Sequence, residues 1–133
     1  MINYEIITWK DQPLVYIIHT AILPEESQFL TPSDFKQQVG FIVYPTGAEI
    51  GRHIHRKINR HLVGTSEVLI VKKGRCLIEV FSDDKELVAQ RELAEGDVML
   101  MVGGGHGFKV LEDTVLLEVK QGPYLGIDEK ERF

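Results

Sequence analysis

Residues 47–74 read GAEIGRHIHRKINRHLVGTSEVLIVKKG, and the fold turns on how that stretch is parsed. Its second half, Glu67–Val71, is an apolar run opened by a glutamate and closed by Lys72-Lys73-Gly74, the profile of a strand ending in a turn. Its first half holds His53 and His55, two positions apart. As a strand over Glu49–His55 it sends both imidazoles off one face, because side chains of an extended chain alternate sides. Two imidazoles side by side make half of a transition-metal site. Between the halves, Lys57–Ser66 is polar, carries Gly64 and reads as a loop.

Outward from this stretch the pattern is that of strands. Upstream, Tyr4–Trp9 and Leu14–Thr20 are apolar and β-branched, and Lys10-Asp11-Gln12-Pro13 turns between them. Ala21–Gln38 is broken by Pro24 and Pro32, with room for one helical turn at Thr31–Asp34. Val39–Tyr44 is apolar on both faces, as in a buried strand, and Pro45-Thr46-Gly47 turns the chain. Downstream, Arg75–Phe81 is the hairpin partner of Glu67–Val71. Glu86–Leu93, Val98–Val102, His106–Leu111 and Thr114–Lys120 follow, separated by short polar or glycine turns. About ten short strands with turns at this spacing predict an all-β sandwich or barrel.

The 133 residues suit one domain, 1–133, with a single core. Within it, strands over 4–20 precede the central strands and a charged tail over 122–133 lies at the periphery. A net charge of -5 argues against a nucleic-acid partner, whose phosphates need a basic face. Positive charge is nonetheless concentrated around the histidine pair, at Arg52, Arg56, Lys57 and Arg60. Cys76 is the only cysteine, so no intrachain disulfide forms, and its strand-like flanks predict a buried, inert thiol. Neither a secretory leader nor a membrane span is legible, and the expected location is cytoplasmic, with no membrane partner.

Two motifs in this order resemble the cupin superfamily. Gly47 is followed by five residues and then His53-Ile54-His55; Glu67 is followed by six residues and then Gly74. Both halves fit the first cupin motif, although 56–66 is a longer gap than the family's usual short one. In the second motif Gly96 is followed by five residues, Val102 takes the place of the proline, Gly104 that of the glycine, and His106 arrives one residue early. Shortening by one residue inside Gly103-Gly104-Gly105 is cheap, because glycine accepts almost any backbone angle. The resemblance covers 39–120 and implies a double-stranded β-helix, the jelly-roll barrel, with the extra N-terminal strands outside it. It further implies a metal held by His53, His55, Glu67 and His106. That ligand set suits Fe, Mn, Ni, Cu, Co or Zn. Glu67 shares its strand face with Leu69 and Val71, where a carboxylate is costly to bury without a cation or hydrogen-bond partner.

His61 and Tyr124 are the candidate general acid or base residues, and Arg60 the candidate for gripping a substrate anion, since Arg52 and Arg56 would point away from the histidine pair. His19 alternates with Val15 and Ile17 and reads as a core or rim histidine; Met99 and Met101 read as core. Glu118 is placed on the outer surface, opposite Val115, Leu117 and Val119. The expected function is a metal-binding cupin, an enzyme such as a sugar isomerase or epimerase or a small-acid dioxygenase, acting on a small polar or anionic molecule. The alternative is a non-catalytic small-molecule or sugar-binding module, its metal structural or absent. Val68 and Ile70 make the second face of their strand apolar too, which predicts a homodimer.

Overall fold

The computed structural model describes residues 4–126 and 130–133. The protein is all-β, with ten strands in antiparallel sheets and no α-helix among the described residues. The chain divides into two compact units, Met1–Leu23 with Thr65–Phe133, and Pro24–Gly64.

The larger unit carries two sheets. The first has five strands in the order β1 (Tyr4–Trp9), β2 (Gln12–Ile18), β8 (Val98–Met101), β5 (Glu67–Lys73) and β10 (Val115–Lys120). The second has three, in the order β7 (Leu87–Ala94), β6 (Arg75–Phe81) and β9 (Gly105–Val110). Their inward faces share one core: Val15 and Ile17 from β2, Leu69 and Val71 from β5 and Met99 and Met101 from β8 meet Cys76, Ile78 and Val80 from β6 and Leu93 from β7. Period-two alternation puts these side chains on one face of each strand, and burial of that apolar area is the main stabilising term. Met99, Met101 and Cys76 are core residues, as their alternation and flanks predict.

Local chemistry sets the turns. Lys10 and Asp11 have φ of 49° and 62°, so a two-residue turn with both centres left-handed joins β1 to β2, the hairpin geometry that matches strand twist. Gly104 has φ of 64°, and a Cβ there would lie 2.2 Å from the carbonyl oxygen of Phe81. The turn into β9 therefore requires glycine at that position.

At one end of the sandwich the chain is tied by Asp97. Its carboxylate accepts from the backbone N–H of Thr20 at 2.9 Å and of Ala94 at 2.9 Å, and faces Nδ1 of His19 at 3.3 Å. His19 is thus a rim histidine with a partner. Asp97 is buried, and in the sequence it stands only at the end of a short polar turn before Val98–Val102. An Asp immediately before an apolar strand is the available signal, but it does not reveal which amides it will cap.

In the unit Pro24–Gly64, β3 (Gln28–Phe29) pairs with β4 (Gly40–Phe41). Gln38 ties the intervening loop, donating to the carbonyls of Pro32 at 2.9 Å and Phe35 at 2.8 Å and accepting from Thr31 Oγ1 at 2.7 Å. Phe35 N–H donates to Pro32 O at 3.1 Å, one turn and not a helix. Two expected strands are corrected here. Val39–Tyr44 pairs only at its start, and Glu49–His55 forms no strand. The Pro45–Gly47 turn does form, with Ala48 N–H on Pro45 O at 3.2 Å and Gly47 at φ 86°. Beyond it Gly51 and four closely spaced cations disfavour regular pairing, and among the described residues no strand supplies a ladder for it.

Candidate functional site

The site is built where the two sheets open. The ladders give the direction: Glu67 begins β5 opposite Met101, the last residue of β8, and His106 lies opposite Val80 near the end of β6. These positions share one end of the sandwich, and Asp97 sits at the other, beside Val71 and Ala94.

Glu67 is on the inward face with Leu69 and Val71, as its spacing predicts, and it is buried. His106 is on the inward face of the other sheet, in line with Phe108. Across the gap, His106 Nε2 lies 3.2 Å from Glu67 Oε2. The imidazole is the partner that a carboxylate on an apolar face needs. Within the unit that holds them, no third His, Cys, Asp or Glu among the described residues joins the pair as a metal-ligand group.

Glu67 and His106 line a cavity of about 680 Å³, together with Phe81, Met101, the glycine turn and residues 130–133. That is the size of site that encloses a small molecule. The tail, expected at the periphery, therefore contributes a wall at residues 130–133; its residues 127–129 lie outside those described. Phe133 stacks edge-to-face on Phe81 with centroids 5.1 Å apart, and Lys85 Nζ donates to Glu131 Oε1 at 2.5 Å. No periodic pattern marks this tail in the sequence, because its placement depends on residues far away in the chain.

Of the other predicted residues, four belong to the second unit. His53 and His55 belong to the unit Pro24–Gly64, where their rings pack at 5.3 Å, at 71° to one another, and His53 Nδ1 lies 2.8 Å from Gly51 O. The two imidazoles are neighbours without the strand expected to align them. Arg60 and His61 are exposed in the same unit. Tyr124 is 77% exposed and is not a cavity residue. Glu118 is exposed, but its face is corrected: it pairs with Leu69, Leu116 packs against the core, and Val115, Leu117 and Val119 face outward. Among the described residues no helix is long and apolar enough to cross a membrane.

No family model, curated protein or solved structure matches the chain.

Proposed function

We propose that this chain is a metal-binding cupin of the jelly-roll type, an enzyme acting on a small polar or anionic molecule in the cavity beside Glu67 and His106. One observation carries the reading. Glu67 and His106, drawn from the two separate motifs, meet at 3.2 Å on the wall of a cavity of about 680 Å³. A carboxylate oxygen and an imidazole nitrogen suit a divalent transition metal, and the paired imidazoles of His53 and His55 are donors of the same kind. A bound metal would act as a Lewis acid on a ligand oxygen or activate oxygen itself. The chain's own residues exclude water on the apolar side through Met101 and Phe81, and Glu67 and His106 can hold or pass a proton between carboxylate and imidazole.

The test is elemental analysis of protein purified without chelator. Wild type is expected to carry close to one divalent metal per chain, and His106→Ala and Glu67→Ala each to lose it. Wild type carrying no more metal than a His53→Ala/His106→Ala double variant overturns the reading. Oxygen uptake with small acids, against isomerisation of sugars, then separates the two reaction classes.

A homodimer belongs to the same proposal. On the outward face of the five-stranded sheet Leu117 pairs with Ile70 and Val119 with Val68, and Leu117 and Val119 are about half exposed. Exposed apolar pairs of this kind mark association surfaces. A cytoplasmic location is likewise proposed, supported by a lone buried thiol that needs no oxidising compartment.

A further inference from the structure

The cavity's charged groups are unequally engaged. Glu67 is held by His106, Glu131 by Lys85, and Glu79 by Gln90 at 3.0 Å and Lys109 at 3.7 Å. Lys130 and Arg132 line the same cavity, and among the described residues neither has an ion-pair partner. The segment that carries them is fastened at two points. Phe133 sits on Phe81, and the Lys85 ammonium both bonds Glu131 and lies 5.9 Å over the Phe133 ring. Phe133 also approaches the glycine turn, where a Cβ at Gly105 would lie 3.0 Å from its ring. In a chain of net charge -5, two cations on a cavity wall with no ion-pair partner among the described residues offer an anion an electrostatic attraction.

We propose that Lys130 and Arg132 are the anion-selecting residues of this cavity, and that its ligand is a small molecule bearing a carboxylate or phosphate. The arginine fork matches the two oxygens of either group, and the lysine adds a mobile point charge. Phe81, Met101 and Phe133 receive the rest of the ligand. The proposal shares its cavity with the metal-enzyme reading but does not need the metal.

The experiment is calorimetric titration of the full chain with sodium malonate and, separately, inorganic phosphate, at constant ionic strength set with chloride. At least one of the two anions is expected to bind wild type, and which one identifies the group. Lys130→Ala/Arg132→Ala should weaken that binding about tenfold or more, as loss of charge-assisted bonds to an anion does. Arg132→Lys, which keeps the charge but removes the fork, should fall between. Unfolding curves in chloride, expected to match wild type, show that the variants fold. Neither anion binding wild type, or the double variant binding as tightly as wild type, overturns the proposal. Metal content on the same preparations keeps the two readings apart: anion binding lost in the double variant of metal-free protein supports this one alone, and metal without anion binding supports only the other.

Discussion

Glu67 Oε2 and His106 Nε2 stand 3.2 Å apart although each belongs to a different sheet. The contact spans the sandwich and satisfies a buried carboxylate, so its two halves are energetically unequal. Removing the imidazole leaves Glu67 without that partner, at a cost of about 1–3 kcal/mol, whereas removing both polar groups together costs less. His106→Ala is therefore expected to lower the unfolding free energy by about that amount, and Glu67→Leu/His106→Leu by less than the sum of the single changes. A double-mutant cycle in urea measures the coupling. Additive single effects would show that the pair does not interact.

Asp97 should also matter to stability. Asp97→Ala strands the amides of Thr20 and Ala94, and the expected loss is about 2 kcal/mol, from the cost of leaving two part-buried donors without their acceptor. Asp97→Asn keeps one acceptor oxygen and should cost roughly half as much. Urea midpoints with unchanged slopes are the check. A loss below that of an ordinary surface substitution would show that the amides find water instead.

The turn at Lys10-Asp11 offers a gain. Both residues hold left-handed backbone angles that cost an L-residue roughly 1 kcal/mol each, and Asn-Gly adopts them readily. Lys10→Asn with Asp11→Gly should stabilise by about 1 kcal/mol net. The gain is reduced by losing the Lys10 ammonium from its place 4.4 Å over the Trp9 ring. A rise in the thermal midpoint checks it.

Burial pushes the Cys76 thiol above its ordinary range, and the negative charge of Asp97 adds to the shift. Native Cys76 should resist a thiol reagent at mildly alkaline pH and react only through unfolding. The sign of the linkage follows. The folded state binds the thiol proton more tightly than the unfolded chain, so the contribution is intact below the ordinary thiol pKa and fades as pH rises from there toward the folded value. Cys76→Ala should flatten that alkaline decline. A labelling rate equal to that of a free thiol would show that the site is open.

The outward pairs Leu117–Ile70 and Val119–Val68 predict that Leu117→Lys or Val119→Asp turns a dimer into a monomer with the fold intact. Light scattering at micromolar concentration, with circular dichroism on the same sample, decides. Monomeric wild type would remove the homodimer from the proposed function.

Strand alternation made most of the larger unit readable. β1 and β6 have the bounds that their apolar runs suggest, and Glu67 lies on the face it shares with Leu69 and Val71. Alternation fails where both faces are apolar. In β10 it is Leu116 that turns inward, and a run such as VLLEV does not say which of its sides meets the core. It fails again over Glu49–His55, because a strand needs a partner and the sequence does not name one. At the candidate site, Glu67 and His106 were legible as motif positions. The wall formed by residues 130–133 was not, since Phe133 meets Phe81 through contacts that leave no local periodicity.

The two ends of the sandwich are closed by different means. At one end, Asp97 is bonded to backbone amides and has no exchangeable place for a ligand. At the other, the closure is a pair of side chains and a tail held by one ring and one ion pair, all of which a guest can replace. Occupancy should therefore be visible as local hardening. Amide exchange near His106 and Phe81 would slow when the cavity fills, and exchange near Ala94 and Thr20 would keep its unliganded rate.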